Sequence, residues 1–225
     1  MKRLFFAALT VCLSASVMAQ SGNRAGGRPN TLTDQEKKDG WVLLFDGKTL
    51  DQFNVTPNLA KVFNVVDGAI KTDAKAGGGT MYTKEKFSNF ILKAEFRAHP
   101  DINSGIILRQ PDPVARGEKP VGGSGYELQI RDRNPGNYTG GDFLTGSIVG
   151  VAKAPADVKI IPGQWNTIEA TVDGDHFVVK YNGKVVADGH DARRSSGTIG
   201  LQLAHPEDVT NADIEFRNLK VKKLP

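Results

Sequence analysis

After residue 40 the chain is a succession of short segments in which apolar and polar residues alternate. Successive strand residues point to opposite faces, so a period of two marks half-buried β-strands. Phe90, Leu92, Ala94 and Phe96 form one apolar stripe against Lys93, Glu95 and Arg97, and Phe177, Val179 and Tyr181 form another. Both stripes are expected to face an inter-sheet core. Residues 63–66, 165–172 and 214–221 read as further strands, rich in β-branched and aromatic side chains. Asp46-Gly47, Asp67-Gly68, Asp173-Gly174 and Asn182-Gly183 supply residues that tolerate the positive φ of tight antiparallel hairpins. The helical signal is confined to the start: Thr33 to Glu36 (TDQE) has the form of a capping box for a short helix reaching Asp39, which Gly40 ends. The pattern predicts an all-β fold, a jelly-roll-like β-sandwich larger than an immunoglobulin domain, with a short N-terminal helix.

Three segments carry chemistry on their second face. In GYELQIRD (125–132), Tyr126, Leu128 and Ile130 alternate with Glu127, Gln129 and Arg131. In NSGIILR (103–109), Ser104, Ile106 and Leu108 leave Asn103, Gly105, Ile107 and Arg109 opposite. In TIGLQLAH (198–205), Ile199, Leu201 and Leu203 leave Gln202 opposite. If the three share a sheet, their polar faces make one floor containing Arg109, Glu127, Gln129 and Gln202. A solvated sheet face has the same alternation. Two Gly- and Pro-rich connections, 110–124 and 134–142, flank the GYELQIRD strand, and the second holds Tyr138. Loops of this kind on a rigid sheet often line a site.

The first residues change the picture of where the protein works. Lys2 and Arg3, the apolar run from Leu4 to Leu13 and the small residues up to Ala19 match a secretory signal, with cleavage expected after Ala19. Residues 1–19 are then a signal peptide, 20–31 a Gly-rich flexible leader, and 32–225 one sandwich domain of an exported, periplasmic or secreted protein. The run is too short for a membrane span, and no later stretch approaches the needed length. Cys12, the one cysteine, leaves with the signal, so neither a disulfide nor a thiol nucleophile serves the mature protein. The 29 Lys and Arg of the chain become 27 against 25 Asp and Glu, a net charge of +2. That balance, without a basic cluster flanked by aromatics, gives no support to nucleic-acid binding.

A retaining glycosidase would place two carboxylates close together, but the alternate positions of this strand are Glu127, Gln129 and Arg131, with one acid among them. Asp132 has the opposite parity and would join Glu127 only through a bulge or at the strand end. His205, after the Gln202 strand and before Pro206, is placed where a general acid or base could reach a pocket. No two of His99, His176, His190 and His205 have close metal-ligand spacing, so no catalytic zinc site is expected. No cofactor is expected either. A structural calcium held by loop oxygens would leave no trace in the sequence.

Taken together, GWVLLFDGKTLDQF (40–53), NSGIILR, GYELQIRD, Trp165-Asn166, NGK (182–184), IGLQL (199–203) and FRNLKVK (216–222), in this order, resemble the 3-keto-disaccharide hydrolase family. The resemblance implies a concanavalin-like jelly roll, a small carbohydrate substrate and action on glycosides already oxidised to a ketone at C3. It implies Glu127 as base or acid, Arg109 as stabiliser of the developing enolate, and Asp132 or His205 as carrier of the second proton. Asn103, Gln129, Arg131, Tyr138 and Gln202 would then bind the sugar. Many members have His-Gly directly after the Gln of the late strand, whereas here Leu203 and Ala204 separate Gln202 from His205. A non-catalytic carbohydrate-binding module would use the same fold and the same floor.

Overall fold

The hairpin turns show how closely local chemistry governs this chain. Asp67 and Asn182 take positive φ angles of 50° and 46°, followed by Gly68 and Gly183 at 74° and 82°. Each pair closes an antiparallel hairpin, as the mirror-image turns of right-twisted strands require. The computed structural model describes residues 27–99, 101–111, 125–132, 143–204 and 212–225. The expected signal at 1–19, and both Tyr138 and His205, lie outside these residues.

Within them the strands are β1 (Trp41–Leu43), β2 (Phe53–Asn54), β3 (Phe63–Val66), β4 (Ala69–Thr72), β5 (Gly79–Phe87), β6 (Phe90–Ala98), β7 (Ser104–Gln110), β8 (Tyr126–Ile130), β9 (Asn166–Asp173), β10 (His176–Tyr181), β11 (Lys184–His190), β12 (Gly197–Leu203) and β13 (Ile214–Lys223). Eight of them form one sheet in the order β11-β10-β9-β6-β13-β4-β3, with β1 also paired to β13. The other five form a second sheet in the order β2-β5-β12-β7-β8. The two sheets make a jelly-roll sandwich. The helix α1 (Asp34–Lys38) begins with the expected box, Glu36 N donating to Thr33 Oγ1 (3.1 Å) and Thr33 N donating to Glu36 Oε2 (3.0 Å). No helix among the described residues is long and apolar enough to cross a membrane.

One apolar core fills the space between the sheets. Phe90, Leu92, Ala94 and Phe96 of β6 and Phe177, Val179 and Tyr181 of β10 face it, as their alternation implies. Tyr126 of β8 meets Phe177 across the sandwich with ring centroids 4.4 Å apart. Burial of such side chains, about 1.5–3 kcal/mol each, is the main force holding the layers together.

Two expectations need correction. Residues 20–31 are not a free leader throughout, because Asn30 is buried and exchanges hydrogen bonds with Asn218, its Oδ1 accepting from Asn218 N (2.8 Å) and its N–H donating to Asn218 Oδ1. A side-chain amide that mimics a backbone pair ties this segment to β13. Asp46-Gly47 closes no hairpin, since β1 pairs with β13 instead. Its Asp46 Oδ1 accepts from the Lys48 and Thr49 amides (2.8 and 2.9 Å), a local Asp turn that redirects the chain.

Candidate active site

On the outward face of the five-stranded sheet, strand pairing sets two rows across the central strands. One row runs Tyr82, Gly200, Ile107, Glu127, and the next runs Thr80, Gln202, Gly105, Gln129. The two glycines keep the middle of the face low. A Cβ on Gly105 would meet Glu127 Cγ and Oε1 at 3.2 Å, so the carboxylate leans over Gly105 toward Gln202. A Cβ on Gly200 would meet the Tyr82 ring at 2.6 Å, so that ring leans inward from the opposite side. An acid and a phenol thus converge on two positions that have no side chain of their own.

Their electrostatics follow from this placement. Burial pushes the Glu127 pKa up; a hydrogen bond from the Gln202 side chain and the charge of Arg131 pull the other way without cancelling it. Burial likewise raises the Tyr82 phenol, with a Thr80 hydrogen bond opposing the shift and the Glu127 charge adding to it. Gln202 Oε1 is buried and has no hydrogen-bond partner among the described residues. Buried polar atoms are nearly always paired, so this acceptor marks a place where a ligand hydroxyl would be welcome. A cleft of about 330 Å³ opens on the other sheet, beside residues 27–33. Most of its charges are already paired: Lys220 with Glu36, and Lys93 and Lys180 with Glu169. Chemistry therefore points to the Glu127 face and not to that cleft.

The structure brings Glu127, Gln129 and Gln202 onto one face but removes Arg109 from it. Leu108 and Arg109 together oppose the single residue Ile199, because β12 pairs Thr198 with Gln110 and Gly200 with Ile107. This bulge, with Arg109 at φ 50°, turns the guanidinium to the inner side of the sheet. There Arg109 is fully buried over the Phe177 ring and donates to Ser88 O (2.8 Å), Gly174 O (2.7 Å), Arg194 O (2.8 Å) and Asn89 Oδ1 (3.2 Å). It ties three turns together and is not an enolate stabiliser beside Glu127.

Asp132 is also engaged elsewhere. Its Oδ1 accepts from Thr145 Oγ1 (2.8 Å) and its Oδ2 from Ile160 N (2.8 Å), stapling the segment that follows β8. Its opposite parity, with no bulge to correct it, keeps it from Glu127. Gln129 and Arg131 share Glu127's parity, and both are buried. Gln129 Oε1 accepts from Ile130 N (3.1 Å), while Thr145 N and Gly146 N donate to Arg131 O and Gln129 O along the edge of β8. Asn103 is buried immediately before β7, where its carbonyl accepts from Ala204 N (3.0 Å).

Tyr82 and Thr80 are missing from the sequence-based site. The signal was there: in β5, Thr80 and Tyr82 alternate with Met81 and Thr83, and Met81 and Thr83 are buried. Nothing linear, however, couples β5 to β8, which stand three strands apart in the sheet.

Residues 40–222 match the family described as the 3-keto-alpha-glucoside-1,2-lyase-like domain. The chain belongs to this family. A curated relative is the 3-keto-disaccharide hydrolase of Bacteroides thetaiotaomicron, 26% identical over an alignment of 172 residues that covers 68% of this chain and 59% of the relative. The chain thus spans 59% of that relative's length. Two crystal structures of Parabacteroides distasonis proteins provisionally named glycosyl hydrolases share the fold. One has a TM-score of 0.71 at 20% identity and covers 88% of this chain and 100% of its own. The other has a TM-score of 0.63 at 25% identity and covers 82% and 99%.

Proposed function

We propose that this protein cleaves glycosides carrying a ketone at C3, with Glu127 as the general base. The ketone acidifies the hydrogen at C2. Glu127 takes that proton, the electron pair delocalises to O3 as an enolate, and its return expels the C1 substituent, leaving a C1=C2 double bond conjugated with the ketone. Water then adds its hydroxyl to C1 and a proton to C2, completing a net hydrolysis. One base and one oxyanion stabiliser suffice for this route, in keeping with a face that carries a single acid among the described residues.

The observation that carries the reading is the placement of a half-buried carboxylate across Gly105 from a buried amide oxygen that has no partner among the described residues, where burial raises the carboxyl pKa. A raised pKa makes Glu127 a stronger base while leaving it ionised above that pKa. Arg131, whose charge acts on Glu127, takes over the enolate role first expected of Arg109. Tyr82 holds its proton because its pKa is raised, and faces the acid from the other side as donor to O3 or to the departing oxygen. Gln202 supplies an acceptor for a sugar hydroxyl. The family membership and the curated relative's name support a 3-keto substrate, and the expected signal at 1–19 makes this an exported activity in the same proposal.

Matched glycosides with and without the 3-ketone test it. Turnover is expected of the ketone alone, and Glu127→Gln should lower kcat/KM about 10²–10⁴-fold with the fold retained. Full turnover by Glu127→Gln, or saturable binding of unoxidised glycan with no consumption of either compound, would contradict it. The second outcome would describe a carbohydrate-binding module.

A further inference from the structure

His176 opens and His190 closes the β10–β11 hairpin, which makes them direct cross-strand partners. Their imidazoles stack with centroids 4.4 Å apart and planes 7° from parallel. Asp188, two positions before His190 on the same outward face, places Oδ1 2.8 Å from His176 Nε2. One ligating atom from each of His176, Asp188 and His190 lies within 4.8 Å of the others. Asp175, in the turn before β10, stands behind the group with Oδ1 3.2 Å from His190 Nδ1.

We propose that His176, Asp188 and His190 form a binding site for a divalent transition cation of the zinc class. Two imidazoles and a carboxylate are the ligand types zinc takes, whereas calcium and magnesium seek oxygen alone. A carboxylate on Nδ1 holds that nitrogen protonated and leaves the Nε2 lone pair outward, the arrangement usual behind metal-ligating histidines. This assigns Asp175 as the positioning residue for His190. Tetrahedral ligands at about 2.0 Å from zinc are about 3.3 Å apart. The His176–Asp188 gap of 2.8 Å must therefore open slightly and the widest spacing, 4.8 Å, must close. Rotation of partly exposed side chains accomplishes both.

The backbone beneath is firm. Gly189 is pressed so closely on the chain at 151–152 that a Cβ there would meet Ala152 Cβ at 2.9 Å and Val151 O at 3.1 Å. A cation bound above it would clip the edge strand β11 to β10, leaving one coordination position to water. The site is on the opposite sheet from Glu127, so its occupancy and the C2 chemistry are separate questions.

Titration of the tag-free, metal-stripped mature protein with Zn²⁺, followed by calorimetry and by the histidine ring NMR signals, tests the proposal. We expect one saturable site that shifts the His176 and His190 rings, with Ca²⁺ shifting neither. His176→Ala and His190→Ala should each weaken zinc binding about 100-fold, and Asp175→Asn about 10-fold, while His99→Ala changes nothing. Equal zinc affinity in the doubly substituted His176→Ala/His190→Ala protein would overturn it. So would unmoved ring signals at millimolar zinc. Thermal unfolding in EDTA, matched to the parent, establishes that the variants are folded.

Discussion

At the scale of single residues, Glu127 is a group the fold holds against its preference. Burial outweighs the combined help of Gln202 and Arg131, so the folded protein favours the protonated carboxyl relative to the unfolded chain, where the pKa is near 4.5. The sign follows from linkage: a raised folded-state pKa adds stability that is complete below the unfolded value and is lost as pH rises through the folded one. Glu127→Gln should therefore raise the melting temperature near pH 7, and the gain should vanish below about pH 4.5. Thermal scans across pH check this, and a melting temperature lowered at pH 7 would mean that the charge is stabilised. Activity should follow the opposite course, with kcat/KM falling as acid protonates Glu127 at a pH above that of an ordinary carboxylate. Such opposition between stability and readiness to react is expected of a base kept in a catalytic site.

At the scale of elements, one bulge in β7 decides which residues can act. Strict alternation puts Arg109 beside Gly105 and Ile107, and the sequence NSGIILR contains nothing at position 109 that signals a change of face, because arginine is an uncommon residue at positive φ. The reason lies in the neighbours: Gly197 abuts the bulge so tightly that a Cβ would meet Gln110 O at 2.3 Å, and the guanidinium finds three carbonyls from three turns. Removing it would break these hydrogen bonds and leave a void over the Phe177 ring where a fully buried side chain now stands. Arg109→Ala should destabilise the protein by about 2–4 kcal/mol in urea unfolding while the folded fraction keeps its turnover. Loss of turnover at unchanged stability would return Arg109 to the site. The regular elements were legible: β6, β10, β12 and the box of α1 follow period and capping chemistry alone. Asp46-Gly47 was not, since a turn dipeptide specifies a reversal but not which strand is met after it.

At the scale of the molecule, the sandwich presents two outward faces of different character. The eight-stranded sheet carries lysines and glutamates paired across strands, and at its edge the two stacked histidines. The five-stranded sheet carries Glu127, Tyr82 and Gln202 around two glycines. Alternation identified the second face because β7, β8 and β12 are contiguous in the sheet. It missed Tyr82 because β5 and β8 are brought to one face only through the strands between them, and the histidine pair because a bulge between Val179 and Lys180 shifts a hairpin register that would otherwise set His176 against Gly189. The proposed reaction turns on the C2 proton. Wild-type protein turning over a 3-keto-glycoside in deuterated water should release a sugar with deuterium at C2, ahead of any exchange in an enzyme-free control. Release of sugar that keeps its original hydrogen at C2 would contradict abstraction by Glu127 and point to direct displacement at C1.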